Sequence, residues 1–143
     1  VQTNLKRIGL GAAATTAAVL FGLASTAQAA PHYLNGKSKT GNAEISGTYE
    51  YHVTGHTTSG DPIYGGKFTN AGARDAIPGN RLEAVFALEY YTWSGGAWKY
   101  QPRYASRVNS FDSWGFNNKK DIRVWACDRQ VGTTTLKNCN PVF

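Results

Sequence analysis

Cys127 and Cys139, at the two ends of the stretch CDRQVGTTTLKNC, are the only cysteines of this chain. Paired thiols carry redox chemistry when one is held as a low-pKa thiolate, usually in C-x-x-C or at a helix N-terminus, and neither context occurs here. Zinc would need further cysteines, or histidines at a suitable distance. The remaining role is structural. In an exported chain two cysteines oxidise to one disulfide, and closing a loop of about a dozen residues stabilises by roughly 3 kcal/mol in the chain-entropy account.

The other groups able to do chemistry are spaced poorly for it. His52 and His56, with Asp61 close behind, have the donor types of a metal site. In an extended strand, however, residues four apart lie about 13 Å from one another, so only a tight bend at Gly55 would bring them together. Glu83 and Glu89 would be about 20 Å apart on one strand face, beyond the roughly 5–9.5 Å of a glycosidase pair. Each could still meet an acid from a neighbouring strand. Glu50, His52 and Glu83 with Arg103 or Arg107 would suit a ribonuclease-like set, but no spacing supports it. Nucleophile elbow, zincin helix, phosphate-binding loop and EF-hand patterns do not occur. We therefore expect no catalytic residue, no metal and no cofactor.

The aromatic residues offer more. Four Trp, eight Tyr and six Phe are present, with abundant Gly and Thr. Tyr91, Trp93 and Trp98 gather around one glycine pair, and Trp114 lies beside Phe116. Exposed Trp and Tyr stack on sugar rings or anchor protein partners, because a flat apolar face meets a polar rim. The same rings could instead form the core of a domain short of large aliphatics. Trp93, Trp98, Lys99, Arg103 and Trp114 are the candidate binding surface, and Trp125 is expected to pack near the disulfide.

These residues need elements to position them. Lys6 and Arg7, the uncharged run from Ile8 to Ala24, and the small residues Ala27 and Ala29 have the pattern of a secretory signal peptide spanning residues 1–29. Its cleavage would leave no membrane anchor. Residues 30–44 are polar and aperiodic, and are expected to be a flexible N-terminal segment. A single domain follows over 45–143. Tyr49, Tyr51 and Val53 alternate with polar residues as in a strand, and a short strand is expected at residues 67–69. Residues 70–80 read as a loop.

Residues 80–93 are ambiguous. Asn80 and Glu83 have capping-box spacing, and Leu, Ala and Glu favour a helix. Leu82, Ala84, Phe86, Leu88 and Tyr90 nevertheless alternate, and Gly95-Gly96 suits a two-residue hairpin turn that sets Trp93 opposite Trp98. We take the hairpin. Pro102 places the second strand away from a central position. A further strand is expected over 105–111 and a loop over 112–121, with Asn-Asn and Lys-Lys at its tip. Ile122, Val124 and Ala126 continue as a strand, and a last strand is expected from Thr133 to Cys139. Setting Cys127 directly opposite Cys139 places Arg129 opposite Lys137, a destabilising like-charge pair. The ladder is expected to open there, leaving Arg129 and Lys137 on an exposed basic loop. The expected fold is all-β: a small antiparallel sandwich or barrel of six or seven strands with a disulfide-closed C-terminal hairpin.

Fifteen basic residues, two of them in the leader, stand against nine acidic ones. The basic residues are scattered singly apart from Lys119-Lys120, so no phosphate-tracking stripe suggests nucleic acid as a partner. The leader AAVLFGLASTAQAA, the aromatic strands and the terminal RVWACD…C hairpin resemble small secreted β-domain proteins of actinobacteria such as Streptomyces. That resemblance covers mainly the leader and the last quarter of the chain. It implies export and a disulfide-stapled β-fold in a loose group without an assigned activity. The expectation is a non-enzymatic, monomeric interaction protein for an extracellular polysaccharide, a cell surface or a protein partner. A loop-based inhibitor or toxin-like effector stands second, and a small hydrolase or nuclease third.

Overall fold

The computed structural model describes residues 29–143. The leader expected over residues 1–29 lies outside the described residues except for its last position. Seven antiparallel strands run as β1 (His32–Lys37), β2 (Ala43–His56), β3 (Pro62–Asp75), β4 (Leu82–Ser94), β5 (Ala97–Val108), β6 (Phe111–Gln130) and β7 (Leu136–Pro141). They form one sheet in the order β1-β2-β3-β6-β4-β5, with β7 also paired to β6. The all-β antiparallel fold and its disulfide-closed hairpin are as expected. The sheet is single, and it curls over its core without closing into a barrel.

The curl is visible in ring contacts. Phe68 of β3 and Phe86 of β4 meet edge to face at 5.8 Å, although β6 runs between their strands. Leu34, Ile45, Tyr49, Leu88, Val124 and Ala126 pack around them as the inner core. Gly72 permits one close crossing: a Cβ there would sit 1.9 Å from the Ser110 carbonyl oxygen, which accepts a hydrogen bond from Ala73 N–H. The outer face carries a second, smaller core of Val85, Ala87 and Cys127, with Trp125, Leu136 and Cys139 packed against it. Cys127 and Cys139 are bonded, with Cα atoms 4.1 Å apart.

β4 resolves the helix–strand ambiguity. Its residues 84–89 are buried on both faces, which a strand between β5 and β6 achieves and an amphipathic helix would not. Asn80 caps no helix: its Oδ1 accepts from Leu82 N–H, and its amide donates to Asn42 Oδ1. The β4–β5 turn has Gly95 and Gly96 at φ 61° and 76°, and Trp93 faces Trp98 in the expected register.

Five expectations are corrected. The segment 30–44 is not loose. β1 pairs with β2 along its whole length and buries Leu34, the one inward apolar residue an edge strand of this length needs. Residues 70–75 continue β3 past a bulge at Asn70, so the loop is confined to the turn that follows. Residues 112–121 are no loop but the first half of β6. Asn118 and Asp121 adopt φ 55° and 50°, each at a place where the pairing slips by one residue, and the turn chemistry of NNKKD serves two bulges. Near the C-terminus, Asn138 at φ 53° bulges out of β7. Lys137 then faces Asp128 and Arg129 faces Leu136, which removes the like-charge pair without opening the ladder. The last strand accordingly runs over Leu136–Pro141 and not from Thr133.

Asp128 is fully buried, and its Oδ2 accepts hydrogen bonds from Thr40 Oγ1 at 2.6 Å and Asn138 Nδ2 at 2.9 Å. Lys39 N–H donates to the Asn138 carbonyl and Asn140 Nδ2 to the Lys37 carbonyl, so the β1–β2 turn is tied to β7. The disulfide thus holds a hairpin that also anchors the N-terminal edge. Replacing both cysteines by alanine is expected to lower stability by about 3 kcal/mol, seen as a lower urea midpoint with native far-UV circular dichroism retained. An unchanged midpoint would refute this.

Candidate binding site

On the outer face the register of β5, β4 and β6 places side chains in rows. Tyr100, Tyr91 and Lys120 form one row, and Trp98 and Trp93 form the row nearer the hairpin turn. The Tyr91 and Tyr100 rings lie 5.2 Å apart and are 36% and 53% exposed, which leaves apolar ring area facing water. Trp93 and Trp98, also 5.2 Å apart, are half-buried. Lys120 Nζ lies 4.6 Å over the Trp98 ring and 5.7 Å over Tyr91, tying the two rows by cation–π attraction.

Beside the tyrosines a cleft of about 320 Å³ is lined by Glu89, Tyr91, Tyr100, Asp121 and Arg123. Glu89 is buried and held by two guanidinium groups. Arg103 donates to its Oε2 at 3.2 and 3.3 Å, and Arg123 Nη1 is 3.7 Å from its Oε1. Arg103 in turn lies over the Trp125 ring, 3.4 Å from its centroid. This stack rests on the outer core of Val85, Ala87 and Cys127, against which Trp125 packs. An aromatic wall beside a fixed carboxylate and guanidinium can meet a ligand that has one apolar face and several hydroxyl groups.

The five residues of the expected surface do not share a face. Trp93, Trp98 and Arg103 are on the outer face. Trp114 stacks on Phe68 at 4.8 Å, inside the curl, with Arg107 4.1 Å over its ring. Lys99 is exposed opposite Thr92, on the inner side of the hairpin. The basic loop is also not as expected. Lys137 is exposed, but Arg129 is turned onto Glu83, with Nη2 2.7 Å from Oε2 and one-fifth of its side chain exposed.

Glu89, Lys120, Asp121 and Arg123 complete the site; the sequence offers Glu89 only as half of a catalytic carboxylate pair, and none of the four is among the binding-surface candidates. The alternation of β4 puts Glu89 on the same face as Tyr91. Arg123 shares a face with Trp125 by the alternation of residues 122–127, whereas Lys120 and Asp121 depend on the β6 bulges and have no local signature. The residues that suggested catalysis are dispersed. His52 and His56 face Gly65 and Pro62 along an extended ladder, while Glu50 pairs with Lys67 at 3.5 Å and Glu83 with Arg129. Among the described residues no three His, Cys, Asp or Glu side chains gather as metal ligands would.

Inside the curl the aromatic lining shifts its own titrations. Tyr90 is pushed up to about 12, mainly by burial and further by the Tyr104 hydroxyl 3.4 Å away. Burial likewise raises Tyr49 and lowers Lys119.

Comparison with protein-family models, curated proteins and solved structures finds no match to this chain. Fold and site define it as an open, curled antiparallel β-domain, stapled by a disulfide, with an aromatic and charged outer platform.

The Tyr90 shift has a pH consequence. The unfolded chain ionises this phenol near 10 and the folded chain near about 12. The stability that the protonated phenol contributes is therefore complete below pH about 10 and is lost as pH rises toward about 12. A phenolate absorbance titration of wild type against Tyr90→Phe is expected to lose a step near pH 12. Loss of a step near pH 10 instead would contradict the assignment.

Proposed function

We propose that this protein is a secreted, non-enzymatic interaction domain that binds an extracellular polysaccharide on its outer face. The observation that carries this reading is the exposed Tyr91–Tyr100 pair beside a cleft walled by Glu89, Asp121 and Arg123. A pyranose ring presents C–H groups on one side, which stack on an aromatic face, and hydroxyls at its rim, which bond to carboxylate and guanidinium groups. Trp93, Trp98 and Lys120 extend the platform along the sheet, as a polymer with repeating rings requires. Glu89 is ion-paired with Arg103 and Arg123, which fixes its carboxylate as an acceptor for ligand hydroxyl groups.

Export is supported by the leader pattern and by the disulfide, which belongs to an oxidising compartment. A loop-inserting inhibitor is less favoured, because Arg129 is drawn back onto Glu83 and the hairpin lacks the basic tip such a role would use.

The test is retention of the purified protein on insoluble cellulose, chitin and cell-wall material. Wild type is expected to be retained on at least one. The Tyr91→Ala/Tyr100→Ala double variant should bind at least about tenfold more weakly, equivalent to about 1.4 kcal/mol. Lys99→Ala, at an exposed residue on the other side of the hairpin, should bind as wild type does. Equal retention of the double variant, or no retention of wild type on any of these polymers, would overturn the proposal.

A further inference from the structure

The inner face holds a second site, whose first cleft shares only Lys120 and Asp121 with the outer platform and whose second cleft shares none of its residues. Two clefts of about 210 and 220 Å³ open inside the curl and share Lys119 and Ile122 as a common wall. The first is lined by Tyr49, Tyr51, Tyr64 and Phe143, with Lys120 and Asp121 at its border. The second is lined mainly by Phe68, Tyr90, Tyr104, Trp114 and Phe116, and Lys119 is its one charged lining residue. Arg107 stands nearby over Trp114, but it is paired with Asp112 at 3.1 Å.

Among the described residues Lys37, Lys67, Arg74, Arg103, Arg107, Arg123 and Arg129 lie in ion pairs. Lys119 and its neighbour Lys120 are half-buried outside those pairs, and of the two only Lys119 lines the second cleft. Lys119 is half-buried and, among the described residues, has no carboxylate within ion-pair distance. Its ammonium donates one hydrogen bond, to Thr92 Oγ1 at 2.9 Å, and lies 4.4 Å over the Tyr90 ring. An ammonium has three N–H groups, so two remain for a ligand. Withdrawing a cation from water without a counter-charge is unfavourable, and burial shifts Lys119 in the corresponding direction.

An aromatic cleft of this kind would ordinarily attract a cation, but the Lys119 charge inside it repels one. A neutral ligand would leave the Lys119 ammonium without a counter-charge. The geometry points to a binding site for a small aromatic monoanion, with its carboxylate or sulfonate on Lys119 Nζ and its ring among Tyr90, Tyr104, Trp114 and Phe116. Charge complementarity selects the anion, and the ring-lined walls select the aromatic body.

Two fluorescent probes of nearly the same shape separate these contributions: anilinonaphthalene sulfonate, which is anionic, and N-phenylnaphthylamine, which is neutral. The folded protein is expected to bind the sulfonate at one saturable site, at least tenfold more tightly than the neutral probe. Lys119→Gln should abolish that preference while leaving neutral-probe binding in place. Lys119→Arg should restore it, and Lys39→Gln, at an exposed lysine on the β1–β2 turn, should leave it unchanged. Equal affinity of wild type for the two probes, or no saturable binding of either, would overturn the inference even if Lys119→Gln did not fold. A preference that survives Lys119→Gln, or that Lys39→Gln removes equally, would overturn it as well. Because the outer platform shares none of these ring contacts, failure here leaves the polysaccharide reading standing, and the reverse also holds.

Discussion

Two left-handed residues in the middle of one long strand organise this molecule. Asn118 and Asp121, at φ 55° and 50°, each insert one extra residue into β6. Asn and Asp tolerate this conformation better than other side chains with a Cβ, so the chain bends without breaking its ladders. One edge of β6 is thereby divided, with β3 along its first part and β7 along its last, while β4 occupies the opposite edge. Lys119, between the bulges, faces both Tyr64 and Thr92 and marks the crossing point. A straight strand of this length would give a flat ribbon. The bent one lets β3 fold over β4 and bring Phe68 onto Phe86.

The same bend distributes charge. Lys119 sends its ammonium to the inner clefts, and Lys120, next in sequence, sends its own over Trp98 and Tyr91. Adjacent strand residues point to opposite faces, so one dilysine equips two surfaces. The outer surface is further stiffened from its other end. Trp125 packs on the outer core that contains Cys127, Trp125 supports Arg103, and Arg103 with Arg123 fixes Glu89 beside Tyr91. A site held this way loses little side-chain freedom on binding, which favours affinity from a modest contact area.

What the sequence disclosed followed the range of each interaction. The β4–β5 hairpin was legible because Gly95-Gly96 and the Trp93–Trp98 pair are local. The strand character of residues 122–127 was legible from alternation, and the disulfide from the cysteine count. The bulges were misread because Asn and Asp with positive φ look alike in a bulge and in a loop. β1 escaped notice because it buries only Leu34. The clash expected between Arg129 and Lys137 was a real constraint, but a bulge at Asn138 relieves it, where an opened loop was expected. Five aromatic and basic residues looked like one surface because a list carries no face. The bends in β6 decide which of them meet, and those are set by pairing with strands far away in sequence.

The most direct test of this account is the pattern of backbone nuclear Overhauser contacts around Lys119. A continuous, twice-bulged β6 predicts cross-strand contacts from Lys119 to Tyr64 on one side and to Thr92 on the other. Purely sequential contacts through residues 117–121, with neither cross-strand partner, would mean that the segment is a loop, and both proposed surfaces would lose the strand that builds them.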